Sequence, residues 1–236
     1  MRSAAVASEW DVFLLAGIGS TLAIFDDCKL ELTRRFGLEG RTPRIFELFP
    51  YGDHTQKLMS QVVDVGCDVL RLRRSGRSGG GRAAEEIRRL SDGRRVLLIG
   101  HSGGGVAAYK AAVILYRQGN VPDCRVVMVG SPRVPIGRDF RDKVSYFEAV
   151  DEHGTPVDPI TRLGSWGGVS FSRFGLPYWN RRKYAPGHIG TITVLGGHPH
   201  YFRARAPYVH PERGSNLSLT LDSIWARVAD EAEEMT

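Results

Sequence analysis

The chain has 236 residues, 42% of them hydrophobic and 25% charged, which suits one well-buried domain over residues 1–236 and excludes wholesale disorder. The net charge of +6 raises the question of nucleic acid, but the basic residues gather at 71–95 and 173–183, in stretches that read as loop or exposed helix. Neither stretch matches a DNA-reading helix, a zinc finger or an RNA-binding sheet, so no nucleic-acid partner is expected and a solvated basic surface, open to anionic substrates or a membrane surface, is the simpler meaning.

In chain order, residues 10–16 form a short apolar run interrupted by Asp11 and ended by Gly17-Ile18-Gly19, the pattern of a buried strand. Ser20 can cap a helix running to about Phe36, with Gly37 and Gly40 as stops. Residues 44–49 read as a second strand. From Asp53 a helical pattern places Leu58, Val62, Val65 and Val69 at three- and four-residue steps. A Gly, Ser and Arg loop follows over 73–82, then a short helix over 83–90. Residues 95–99 are a fully apolar strand, followed by a glycine-rich turn and an alanine-rich helix over about 106–118. Further buried strands are expected at 124–129, 144–150 and 191–195, and an amphipathic helix at 217–235. Residues 171–187 are aromatic, basic and punctuated by proline, and they read as a cap or insertion, at about 160–188, over one end of the sheet. Strands alternating with helices imply an α/β fold with a mostly parallel central sheet and helices on both faces.

Cys28, Cys67 and Cys124 are an odd set without a CxxC pair and read as reduced thiols. Residues 1–8 lack a signal-peptide pattern and no run approaches 18 apolar residues, so no transmembrane segment is expected and the cytoplasm is the expected location. The sequence carries no signal for oligomeric state.

Gly-x-Ser-x-Gly occurs twice. Gly100-His101-Ser102-Gly103-Gly104 follows an apolar strand and precedes a helix, so its serine stands at the carboxyl end of a sheet strand, above a helix N-terminus with free N–H groups. Gly76-Arg77-Ser78-Gly79-Gly80 follows Arg71-Leu72-Arg73-Arg74 and has no sheet edge to stand on. Context therefore favours Ser102 as a nucleophile and not Ser78.

Leu98 to Gly105 resembles the nucleophile elbow of α/β-hydrolases, in particular the lipase-like (class 3 lipase-like) branch in which histidine precedes the serine. That resemblance implies an α/β-hydrolase fold, a serine–acid–histidine order along the chain, and no cofactor. A serine hydroxyl needs a base, itself oriented by a carboxylate. His198 follows the last strand, and His198 to Phe202 is similar to the pattern around the lipase-like histidine; His200, two residues on, is the alternate. Asp158 sits in a stretch that resembles the acid-bearing segment of lipase-like members, while Asp151 at the tip of the 144–150 strand is the other candidate. Gly103 supplies one oxyanion N–H, and Ile18 or Gly19 in the loop after the first strand the second. His198-Pro199-His200 lacks a second pair with ligand spacing, so no metal is expected.

The expected activity is cleavage of a small-molecule carboxylic ester through an acyl-enzyme on Ser102. A thioesterase or acyltransferase would use the same residues on an acyl thioester or ester. A non-catalytic binding protein on the same fold is the alternative from another class. Trp166, Phe171, Phe174, Tyr178, Trp179 and Tyr184 would either roof an acyl or aromatic pocket or serve ordinary packing.

Overall fold

A computed structural model describes residues 10–21, 23–52, 78–91, 93–121 and 123–233. Its strands and helices are β1 (Trp10–Leu15), α1 (Asp26–Leu38), β2 (Arg44–Leu48), α2 (Gly79–Leu90), β3 (Arg95–His101), α3 (Gly103–Arg117), β4 (Cys124–Val129), β5 (Val144–Val150), β6 (Gly168–Phe171), β7 (Pro177–Asn180), β8 (His188–Thr193), β9 (Val209–His210), β10 (Gly214–Ser215) and α4 (Asn216–Glu233). The helix expected from Asp53, Cys67, and the first part of the 73–82 loop lie outside the described residues.

Six strands form one sheet in the order β2-β1-β3-β4-β5-β8, and every neighbouring pair in it is parallel. The expected α/β architecture is present. Strand side chains alternate between faces, and the sequence places apolar residues on both. Phe13, Leu15, Val96, Leu98, Val126 and Met128 pack with α2 and α3 in one core. Val12, Leu14, Leu97, Ile99, Val127 and Val129 pack with α1 and α4 in the other. Continuous hydrophobic strands are what a sheet covered on both faces requires.

Helix sequences match these faces. Cys28, Leu32 and Phe36 of α1 are buried at four-residue steps, and Leu217, Leu221, Ile224 and Val228 line the buried stripe of α4. Alanines at 107, 108, 111 and 112 are wholly buried and let α3 lie close between the sheet and α2. Asp11 is fully buried in β1 but forms a two-pronged ion pair with Arg44 of β2, at 2.7 Å in each arm, which satisfies both carboxylate oxygens.

Several boundaries differ from the sequence reading, among them the start of α3, at Gly103 rather than about 106. The first helix begins at Asp26, not after Ser20, because the chain first turns through Gly19 at φ 65° and residues 23–25; Asp26 and Asp27 then occupy the first helical turn, where negative charge suits the dipole. α2 begins at Gly79 because the Ser78 hydroxyl caps it, accepting the Gly81 N–H at 3.0 Å. The last sheet strand is His188–Thr193, three residues earlier than expected at its start. The 160–188 segment holds the antiparallel β6–β7 hairpin, anchored where the Ile136 N–H donates to Tyr184 O and the Tyr184 N–H to Trp166 O. Among the described residues no helix is long and apolar enough to cross a membrane.

Sheet order sets the place of the site. Strand succession reverses direction between β1 and β3: β1 leads to α1 on one face, β3 to α3 on the other. The loops after them diverge and leave a crevice at the carboxyl edge, where open α/β sheets bind ligands.

Candidate active site

Ser102 stands in that crevice, at the turn from β3 into α3. It has φ 57° and ψ −131° and is the one non-glycine residue with positive φ among those described. Such a backbone costs on the order of 1–3 kcal/mol and persists only where its surroundings enforce it. Here the enforcement is visible. The Ser102 N–H donates to Val129 O of β4 at 3.0 Å, and Ser102 O accepts the Gly105 N–H at 3.1 Å. A Cβ on Gly104 would sit 2.0 Å from Leu15 O, and one on Gly17 would sit 2.6 Å from the Ser102 Cβ. Only glycine allows β1, its following loop and α3 to close around the serine.

His198 arrives from the loop after β8. Its Nε2 accepts from the Ser102 hydroxyl at 2.9 Å, and its Nδ1–H donates to Asp158 Oδ2 at 2.8 Å. Asp158 is fully buried and follows β5 in the loop over 151–158. Its Oδ1 accepts the Ile160 N–H at 2.8 Å, and Oδ2 also accepts the Tyr201 hydroxyl at 2.8 Å. Burial alone would raise this carboxyl's pKa. The hydrogen bond and charge of His198, with the bonds from Tyr201 and Ile160, outweigh it and hold the pKa below the ordinary carboxylate range. An ionised carboxylate thus faces the imidazole.

The structure brings Ser102, His198 and Asp158 together and leaves the alternates apart. Asp151 is solvent-facing and caps its own loop, accepting the His153 and Thr155 N–H groups at 2.9 and 2.8 Å. His200 accepts the Gly197 N–H at 3.1 Å and stacks on Tyr208 with ring centres 4.3 Å apart. The Gly17–Ser20 loop, carrying Ile18 and Gly19, presses on Ser102 through Gly17, while Gly103 is the first residue of α3, whose N–H lacks an intrahelical acceptor. Ser78, by contrast, spends its hydroxyl on a helix cap. Among the described residues no group of three or more His, Cys, Asp or Glu side chains has the spacing to hold a metal ion.

Three supporting residues went unassigned in the sequence reading. Tyr201 accepts the Ala149 N–H at 2.7 Å while donating to Asp158, tying that carboxylate to β5. Asn216, at the start of α4, clamps both ends of the histidine loop: its amide accepts the Leu195 N–H and donates to Leu195 O and His200 O, at 2.8 to 3.0 Å. The His101 ring stacks on His198 with centres 4.9 Å apart, and its Nε2–H donates to His198 O at 3.0 Å. Burial first, and the charge of His198 second, lower the His101 pKa to about 4, so a neutral ring lies against the His198 imidazole. Of these, His101 before the serine and the tyrosine of His198-x-x-Tyr201 carried a sequence signal, as part of the lipase-like pattern, and Asn216 carried none.

No protein-family model matches the chain, and no curated protein matches it. Among solved structures it is similar to the RedJ thioesterase from the prodiginine biosynthetic pathway of Streptomyces coelicolor, with 14% identity, TM-score 0.48, and coverage of 98% of this chain and 96% of that one. It is also similar to a pyrethroid hydrolase from Sphingobium faniae, with 14% identity, TM-score 0.45, and coverage of 96% and 99%. A third is YbtT, a type II thioesterase from the yersiniabactin biosynthetic pathway, with 11% identity, TM-score 0.44, and coverage of 84% and 88%.

Strain at Ser102 has a measurable signature. Ser102→Ala and Ser102→Gly both lose the hydroxyl, but only alanine keeps a Cβ at φ 57°; the glycine variant is expected to be the more stable by about 1 kcal/mol in urea unfolding. A second expectation concerns pH. The folded-state pKa of His101, about 4, lies below its unfolded value of about 6.5, so the unfolded chain binds more protons between these limits. Its contribution to stability is complete above the upper value and is lost as pH falls toward the lower one. His101→Phe, which keeps a stacked ring, should flatten the stability curve over that window in a pH series of thermal melts.

Proposed function

We propose that this chain is a serine hydrolase of the α/β-hydrolase type that cleaves a carboxylic ester through an acyl-enzyme on Ser102. The reading is carried by one observation: an unbroken hydrogen-bonded path from the Ser102 hydroxyl through His198 to the buried carboxylate of Asp158, at 2.9 and 2.8 Å. A binding module on the same fold has no use for a strained serine aimed at a histidine that is in turn aimed at a buried acid.

His198 Nε2 takes the Ser102 proton as Oγ attacks the ester carbonyl, and the Nδ1–H bond to Asp158 stabilises the imidazolium that forms. Negative charge builds on the former carbonyl oxygen. Gly103 N–H, at the positive end of α3, and N–H groups of the Ile18–Gly19 loop are placed in this reading as its donors. His198 then protonates the departing alkoxide, leaving an ester on Ser102, and the same base activates water to release the acid. Cleavage of an acyl thioester runs through the same steps with a thiolate as leaving group. Transfer of the acyl group to another acceptor requires only that water be kept out. No step calls on a cofactor. Within the superfamily, the lipase-like branch is favoured by His101 before the serine and by Tyr201, three residues after His198, bonded to the acid.

Hydrolysis of p-nitrophenyl butyrate and of a short acyl thioester, followed side by side, tests the proposal. Ser102→Ala, His198→Ala and the two combined should each lower kcat by on the order of 10⁴-fold or more, with no further loss in the double variant because the residues act as a unit. Asp158→Asn should cost on the order of 10³- to 10⁴-fold, whereas Asp151→Asn and His200→Gln should stay within about twofold. Activity that survives Ser102→Ala would overturn the assignment.

A further inference from the structure

Residues 159–211 hold seven arginines and lysines and no aspartate or glutamate. This one stretch exceeds the whole chain's net charge of +6. Elsewhere among the described residues several basic side chains pair with acids, as Arg88 and Arg89 of α2 do with Glu85 and Glu86 and Arg95 with Asp123, whereas within the stretch Arg205 reaches Asp27 at 3.6 Å. Within the acid-free stretch the β6–β7 hairpin is also apolar. Phe171, Phe174, Leu176, Tyr178 and Trp179 are exposed by 50% to 74%. Single exposed hydrophobics are ordinary on a protein surface; five on one short ribbon are not.

Cross-strand register tells how they are arranged. Val169 pairs with Trp179, Phe171 with Pro177, and Ser170 with Tyr178. Paired residues share a face and successive ones alternate. Val169, Phe171 and Trp179 therefore lie on one face and Tyr178 on the other, with Phe174 and Leu176 in the turn at the tip. A rigid protein partner would cover one face of such a ribbon. A fluid lipid interface can surround both, and tryptophan and tyrosine favour that boundary. The cations are spaced to match. Arg173 is at the tip, its guanidinium 4.5 Å over the Phe174 ring, and Arg181 and Arg182 are exposed at the base. The ribbon is also fixed at its root: Trp166 is buried edge-on against Tyr146, with centres 4.9 Å apart, and Arg141 donates to Lys183 O at 2.5 Å. A projecting, pre-formed wedge pays little entropy on docking.

We propose that the β6–β7 hairpin docks this protein on an anionic lipid surface. Phe171, Phe174 and Trp179 enter the interface, and Arg173, Arg181 and Arg182 meet the headgroup phosphates. The inference is independent of the chemistry at Ser102.

Sedimentation with sucrose-loaded vesicles tests it, using phosphatidylcholine alone and equal parts phosphatidylcholine and phosphatidylglycerol. The full chain should bind the anionic vesicles and not the neutral ones, less so as salt is raised. Each arginine near such a surface contributes about fivefold, so Arg181→Ala/Arg182→Ala should weaken binding by about 25-fold. Phe171→Ser/Phe174→Ser, which removes two interfacial rings, should weaken it by at least about tenfold. These substitutions are on exposed residues, and unchanged thermal melts establish that the variants are folded. Absence of binding to the anionic vesicles, equal binding by both double variants and the parent, or hairpin-dependent binding to an acidic protein with none to vesicles would each overturn the proposal.

Discussion

The turn between β3 and α3 holds Ser102 at a backbone angle that side chains avoid, and it can do so because three segments meet there without Cβ atoms between them. Leu15 O lies where a side chain on residue 104 would begin, and the Ser102 Cβ where one on residue 17 would begin. The close approach has two effects at once. It turns the serine at the start of α3, and it presses the loop after β1 against Ser102 through Gly17. The topology supplies the crevice, since β1 and β3 send their helices to opposite faces.

Around that fixed point the other groups are held by ordinary means, each traceable to a buried polar residue with its partners satisfied. Asp158 has three donors on its two oxygens. Tyr201 joins the acid to the backbone of β5, and Thr220 of α4 donates to Tyr201 O at 2.9 Å. Asn216 closes the histidine loop from the helix that follows it. Asp158, His198 and Ser102 thus rest on three strands and two helices, not on their own loops. That is the arrangement needed to keep a reactive geometry within a few tenths of an ångström. Strain at one residue is offset by hydrogen bonds spread over many.

Much of this was legible in the sequence, for physical reasons that differ from element to element. Buried strands such as 95–99 announce themselves because both faces are covered and every position is apolar. The two copies of Gly-x-Ser-x-Gly were separable because only Ser102 has a strand before it; the structure gives Ser78 a capping role that its letters alone could not reveal. Asp158 over Asp151, and His198 over His200, were preferred in the sequence only on the likeness of their surroundings to lipase-like segments, which leaves the alternates open. Each pair sits within one loop, and which member points inward depends on turns such as the Asp151 cap and the Gly197–His200 bond. Asn216 was invisible for a related reason: it lies 18 residues beyond His198 in the chain, and its contacts exist only once α4 has packed on the sheet. The aromatic segment after Trp166 was recognisable as an insertion, but its pairing into an exposed ribbon depends on register, which composition does not specify.

The central claim is that Ser102, and no other serine, is an activated nucleophile. Reaction of the folded protein with a fluorophosphonate, followed by peptide mass spectrometry, tests it most directly. The account predicts a single adduct, on the peptide that contains Ser102, formed quickly at neutral pH. A folded protein that takes up no fluorophosphonate, or takes it up at Ser78 or elsewhere while Ser102 stays free, would contradict it.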